Sequence, residues 1–347
     1  MARSGVRTAL ALAGLLLLPT ACGDDDPDRS GAAPSPSVTA SDSEPASPQP
    51  SDDSGLPPDV SVEDARGETI TAEPFADFMV AAGVSVWVSG VDPGVVAYDA
   101  ASGEITTRVA FDSDVVQAMA TDGHAVYAAG VGPDVLLSID ATTGEEIARV
   151  PLDAEPLEES AVAAHDGTAW VLVDPDAPRF AVVEGGVVTG TLPAPGGALA
   201  ARFGFGALWV TLAGSKVARV NPRNGKVLAT FPVGAGARFL AVGDDAVWTL
   251  DASAGTVSRV DPGSGVVSTV LVSDRPISGG DIAADLGIVW ARTTSGVTRV
   301  DPATSTPTDR IRITSGSGSV AAAAGWLWFS DHDHLAVHRV PLDSLGG

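Results

Sequence analysis

The chain has 347 residues and a formal net charge of −24, from 20 Lys and Arg against 44 Asp and Glu. That length suits two average domains or one repeat or barrel-like β fold, and the acidity argues against a nucleic-acid partner, whose phosphates are bound through Lys and Arg. A single cysteine excludes an internal disulfide framework and a cysteine-based zinc site, while 39 Gly, 25 Pro and only 18% charged residues exclude a coiled coil or helical bundle.

Arg3 and Arg7 precede an apolar run from Ala9 to Leu18, and Pro19-Thr20-Ala21-Cys22 follows. A basic start, a short apolar core and small residues before a break are the parts of a secretory signal peptide, here residues 1–21. The run is shorter than the roughly 20 residues needed to span a bilayer. The chain's one cysteine falls at its end. This arrangement resembles a bacterial lipoprotein signal, which implies cleavage before Cys22, acylation of its side chain and anchoring on the extracytoplasmic face of the cell membrane. An ordinary secretory peptide with an incidental cysteine is the alternative.

Residues 22–59 are rich in Asp, Ser, Pro, Ala and Gly, as in Asp24-Asp25-Asp26-Pro27-Asp28 and Pro45-Ala46-Ser47-Pro48-Gln49-Pro50. Such a composition cannot bury enough surface to offset chain entropy, so the segment is expected to be a disordered tether, extended by proline and like-charge repulsion. It contributes to a run of −8 over residues 23–60, against +2 before it and −18 after it.

Residues 60–347 carry an internal repeat. Trp87, Tyr127, Trp170, Trp209, Trp248, Trp290 and Trp328 recur at spacings of 40, 43, 39, 39, 42 and 38 residues. Within the fifth copy, Phe239 to Val242, Ala246 to Leu250, Val257 to Val260 and Val266 to Val272 are four short strand-like runs separated by turn signals. The turn after the third run repeats its chemistry at Asp99 to Gly103, Asp140 to Gly144, Asn221 to Gly225, Asp261 to Gly265 and Asp301 to Ser305: an Asp or Asn side chain binds the backbone ahead of it, and glycine usually supplies positive φ. One four-stranded antiparallel sheet per copy predicts an all-β, seven-bladed propeller, with two packed β domains as the alternative. The seventh copy ends before a fourth strand. Gly67 to Phe75 matches the fourth strand of the first copy, Gly103 to Phe111, and is predicted to complete the last blade and close the ring.

The recurring Val/Leu-Trp-Val/Thr, then Val-x-Arg-Val-Asp-Pro, then Gly-x-Val is similar to the repeats of the streptogramin-lyase-like and YVTN-type propeller superfamily, from about residue 67 to 347. The resemblance implies the fold; such folds host both enzymes and binding scaffolds. Streptogramin lyases carry Trp-Phe-Thr-Glu-like blades and use a histidine base with carboxylate-held magnesium. Only Trp328-Phe329-Ser330-Asp331 comes near that pattern. Quinoprotein dehydrogenases share turns such as Asp140 to Gly144, but their downstream docking tryptophan is missing, so a bound quinone is not expected. The sequence contains no Gly-x-Ser-x-Gly elbow, phosphate-binding loop or His-Glu-x-x-His.

In a propeller, the loops after the second strand and those between blades share one face. Asp92, Asp134, Asp174, Asp176, Asp251, Asp331 and Asp333 fall in the first kind; Asp77, Asp112, Asp114, Asp153, Glu155, Glu158, Glu159 and Asp274 fall in the second. Such a rim concentrates cations. The densest candidates for a ligand face are Asp251 and the run Asp331-His332-Asp333-His334, with His338 four residues on. Histidine and carboxylate at alternating positions can ligate a divalent cation or move protons, but an extended segment puts the two types on opposite sides unless the loop bends. His124 and His165 belong on the opposite face. The expected function is a membrane-anchored lipoprotein whose propeller binds a protein or small-molecule partner, with no resident cofactor. The alternative is a metal-assisted lyase or hydrolase on the acidic face.

Overall fold

The structure, a computed structural model, describes residues 55–71, 76–90, 94–111, 113, 115–157, 159–313 and 316–346. Cys22 and the predicted signal and tether up to residue 54 lie outside the described residues. So do Asp92, Asp112, Asp114 and Glu158.

Seven antiparallel sheets follow one another, as the repeat predicts. Residues 79–110, 115–151, 162–193, 198–232, 237–271, 281–312 and 320–341 form blades 1 to 7. The first strands of successive blades touch in a ring, blade 7 against blade 1. The described residues form no α-helix.

The recurring aromatic lies in the second strand of each blade. In four blades its cross-strand partner is the arginine of the Val-x-Arg-Val motif: Trp209 with Arg219, Trp248 with Arg259, Trp290 with Arg299 and Trp328 with Arg339. Each guanidinium lies between 5.7 and 6.0 Å from its ring centroid. All seven aromatics are buried in the core. They therefore pack blades together.

The turns after the third strands also behave as the residues dictate. Asp261 Oδ1 accepts from the N–H groups of Gly263 and Ser264 at 2.9 and 2.7 Å, and Asp140 accepts from Thr142 and Thr143 at 2.9 and 2.7 Å. These bonds hold the carboxyls of Asp99, Asp140, Asp261 and Asp301 below the usual aspartate range, the backbone N–H contribution being the largest.

Blade 7 is completed from the N-terminal end of the fold. Two strands lie there, β1 (Asp59–Ser61) and β2 (Glu68–Thr71). β2 pairs antiparallel with the third strand of blade 7, Thr69 opposite His338. β1 is an addition that the repeat does not announce: it runs parallel to the outermost strand of blade 6, Asp59 opposite Arg310, and gives that blade a fifth strand. Between them, Ala65 packs with Trp290 and Leu345. Arg339 ties the closure, its guanidinium donating to Glu68 Oε2 at 2.6 and 2.9 Å and to the Ala101 carbonyl of blade 1 at 2.7 Å.

Candidate functional site

The acidic run of blade 7 bends. His332–His334 forms one 3-10 turn, and Asp331 caps it by accepting from the His334 N–H at 3.2 Å. The bend brings the predicted residues together. His334 Nδ1 lies 3.1 Å from each Asp331 carboxylate oxygen, and His338 Nε2 lies 3.4 Å from Oδ2. His332 Nδ1 is 3.0 Å from Asp333 Oδ1, while Asp333 Oδ2 accepts from the Gly316 N–H at 3.1 Å. The His332 contact, then the Gly316 N–H, keeps the Asp333 carboxyl below its usual range.

Asp331 is only 5% exposed. Below it lies the fully buried Arg292, which donates to the carbonyls of Ser330, Ser317 and Thr293. Burial pulls the Arg292 guanidinium down to about 10, against the opposing charges of Asp331 and Asp333. His338 is pulled below the usual histidine value by burial, with Asp331 opposing; its Nδ1 meets Thr69 Oγ1 of β2 at 2.9 Å. The candidate turn is thus joined through His338 to the strand that closes the ring.

Asp251 occupies the same strand-end position in blade 5, but it does not reach the rim. Its side chain is fully buried and accepts from the hydroxyls of Thr249, Thr256 and Ser258 at 2.7, 3.0 and 2.6 Å. Burial raises its carboxyl above the usual range in spite of them. Several rim acids are held by arginines: Asp174 and Asp153 by Arg179 at 2.5 and 3.2 Å, and Asp274 by Arg275 at 3.2 Å. Among the described residues, no three His, Asp or Glu side chains converge where a metal ion could be held. The described donors therefore form no complete ligand set for a divalent cation.

The same face carries a feature that the sequence reading missed. A cavity of about 400 Å³ opens where the loops of blades 4, 5 and 6 meet. Leu199, Leu212, Phe239, Leu250 and Ile277 line it, and the Glu159–Arg238 ion pair stands at its edge. Its lining comes from strand ends of blades 4 and 5 and from loops after second strands and between blades, the two kinds of loop predicted to share a face. On the opposite face, His124 borders another crevice together with Gly185 and Gly186, and His165 stacks on Phe203 with ring centroids 4.1 Å apart.

The axis holds a second unpredicted group. A channel of about 200 Å³ is lined by first strands of all seven blades. The residue opposite the ring aromatic is Val80, Ala120, Ala163, Ala241, Ala283 or Ala321 in six blades, and Arg202 in blade 4. Arg202 donates to the carbonyls of Ser160, Val162 and Ala201. Asp281 and Asp285 face the channel from blade 6, where Ser319 donates to Asp281 and the Ala322 N–H donates to Asp285 at 2.9 Å. Burial raises both carboxyls to about 6; Arg202 is the main opposing influence at Asp281. An alignment of the seven repeats on their aromatics exposes Arg202 and Asp281 as charged residues in otherwise apolar or small columns, whereas the Asp285 column also holds Asp122 and His165. Reading each repeat by its turns alone passes over them.

Seven four-stranded blades in a ring, with an apolar cavity and charged turns on one face, make a seven-bladed β-propeller. The chain belongs to the family of the outer membrane protein assembly factor BamB, which matches residues 59–333. No curated protein matches the sequence. Among solved structures it is similar to streptogramin B lyase, with a TM-score of 0.64 at 16% identity over 79% of this chain and 96% of the other. It is likewise similar to virginiamycin B lyase from Staphylococcus aureus, with a TM-score of 0.64 at 14% identity over 80% and 99% of the two chains. A chain of a mitotic checkpoint complex reaches the same TM-score of 0.64 at 10% identity, over 79% of this chain and 94% of that one. The likeness to the lyases, expected from the repeats, is one of fold.

Proposed function

We propose that the protein is an extracytoplasmic lipoprotein, anchored to the bacterial cell membrane through acylated Cys22, whose propeller is a docking platform for a protein partner. The cavity of about 400 Å³ beside the Glu159–Arg238 pair carries this reading. Its apolar lining takes a partner's side chain, while a paired acid and base at the edge offer hydrogen bonds without leaving a charge unbalanced. Membership of the BamB family supports a role in assembly with other proteins. The acidic turn of blade 7 is the second contact region, suited to a basic partner.

Two experiments separate anchoring from docking. Cys22→Ser is expected to move the protein from the membrane fraction to the soluble one; continued retention overturns the lipid anchor. For docking, a photocrosslinking residue at Ser278 in the cavity should yield a discrete adduct in membranes, and one at Asp166 on the opposite face should not. Absence of any adduct from Ser278, or equal adducts from both positions, overturns the platform on this face.

A further inference from the structure

Two departures from the repeat meet at the seam between blades 2 and 3, on the face opposite the 400 Å³ cavity. Opposite the ring aromatic, blades 4 to 7 carry the arginine of the motif, blades 1 and 3 carry Ala97 and Val182, and blade 2 carries Ser138. The turn after the third strand takes five residues in blades 1, 2, 4, 5 and 6. Blade 3 turns on Gly185-Gly186 alone, both at left-handed φ, with Glu184 paired to Val187. Elsewhere a five-residue turn receives bonds from the blade before it, as when Arg219 reaches the Pro262 carbonyl at 3.2 Å and Trp170 the Pro222 carbonyl at 3.1 Å. Between blades 2 and 3 the arginine and the long turn are both missing, and a crevice of about 560 Å³ opens there.

The carboxylate that goes with the arginine is still present. In blades 5 and 6 the charges of Arg259 and Arg299 act on the turn carboxylates two residues on, Asp261 and Asp301, and Arg339 of blade 7 acts on Asp99 of blade 1. At Asp140 of blade 2 the counterpart is His124 of the adjoining turn. Asp122, Asp140, Asp166 and Glu184 line the crevice, and no Lys or Arg does. Asp122 is fully engaged, with the His124 and Ala125 N–H groups at Oδ1 and the Gly167 N–H and the Tyr127 hydroxyl at Oδ2. Asp140 uses Oδ1 for its own turn. Asp166 and Glu184 are exposed, and neither is ion-paired among the described residues. Ser138 is 5% exposed and lines the crevice, and its hydroxyl bonds to no protein group among the described residues. It stands two residues before Asp140 in one strand, so both side chains leave the same face. A nearly buried hydroxyl without a partner, beside a carboxylate without its arginine, calls for a cation rich in donors.

We propose that this crevice binds a small aliphatic dication with a guanidinium at one end. The guanidinium takes the place that arginine holds in blades 4 to 7, donating to Ser138 Oγ and to the Asp140 carboxylate beside Tyr127. The aliphatic stem covers Ile147, which lines the crevice and is 58% exposed. The second cation meets Asp166 and Glu184 on the blade 3 side. A carboxylate on the ligand would face four acids, so an amino acid is disfavoured. The site stands independently of the docking proposed on the other face.

The full chain carrying ¹³C in the rings of its two tyrosines, Tyr98 and Tyr127, reports on the site and supplies its own control. Tyr98 packs on Trp328 with ring centroids 5.6 Å apart, at the seam of blades 7 and 1, and either Tyr98→Phe or Tyr127→Phe assigns the two signals. Titration with agmatine is expected to shift Tyr127 saturably and leave Tyr98 in place. N-carbamoylputrescine, with a neutral urea in place of the guanidinium, and arginine, with an added carboxylate, should each bind about tenfold more weakly or worse. Ser138→Arg supplies the guanidinium from the chain and should abolish the response. Glu184→Gln alters only an exposed side chain, serves if Ser138→Arg does not fold, and should weaken agmatine about threefold. No saturable shift of Tyr127, binding of either analogue equal to that of agmatine, or unchanged binding in the variants overturns the proposal.

Discussion

Replacing Asp285 by Asn should stabilise the protein near neutral pH and leave it unchanged in acid. Asp285 faces the axial channel, and its one opposing influence against burial is the Ala322 N–H; together they leave its carboxyl at about 6, against about 4 for an ordinary aspartate. Between those values the folded chain holds a proton that the unfolded chain has lost. Stability therefore falls as pH rises from about 4 to about 6, and stays at the lower level above. A difference of about two units corresponds to about 3 kcal/mol. The side chain is half-buried and water reaches it through the channel, so about 1–3 kcal/mol is the expected cost of the charge. Asparagine keeps an oxygen for the Ala322 N–H and carries no charge. Urea unfolding of both proteins should give the variant about 1–3 kcal/mol more stability near pH 8 and no difference near pH 4. The turn carboxylates, whose stabilising bonds are lost as pH falls through their lowered values, are common to both proteins and cancel. An equal gain at both pH values, or a loss near pH 8, refutes the reasoning.

Removing residues 55–71 takes away β1 and β2 and exposes the edge of blade 7; calorimetry should show melting lowered by about 10 °C or more, whereas removing residues 25–50 should not move it. Arg339→Lys keeps the charge but cannot reach both Glu68 and the Ala101 carbonyl, and should cost about 2 kcal/mol in denaturant unfolding; Arg275→Ala, whose pair with Asp274 is exposed, should cost less than about 0.5 kcal/mol. Asp331→Asn removes the group that opposes burial at His338, so proton NMR should find His338 titrating lower than in the parent; an unchanged or higher value contradicts the contact.

The spacing of the aromatics was enough to read the blade count and strand order, because a repeat that must bury the same face seven times keeps the same residues at the same positions. Closure by Glu68 to Thr71 was legible for the same reason: the segment repeats the pattern of a fourth strand. β1 was not, since its three residues carry no copy of the repeat. At the candidate site, the alternation of acids and histidines in residues 331–334 was visible, but the 3-10 bend that gathers them was not. Asp251 resembles Asp331 in the strand it ends, and only the three hydroxyls around it distinguish a core carboxylate from one at a turn. The cavities were out of reach because they form between blades, where residues far apart in sequence face each other.

β1 has a mechanical consequence. Any traction on the chain before residue 59 enters the fold at the rim of blade 6, through three backbone-paired residues and the Asp59–Arg310 contact at 3.3 Å. Behind them, residues 62–67 are folded on themselves, with the Ala65 N–H donating to Ser61 and the Gly67 N–H to Val62. That stretch is itself held to the end of blade 7, Ala65 by its buried side chain and by Ser344 Oγ donating to its carbonyl at 2.7 Å, so a pull that detaches β1 next loads these contacts and only then β2. The seam of the ring is thus separated from the tether side by two successive sets of contacts. β1 acts as a fuse.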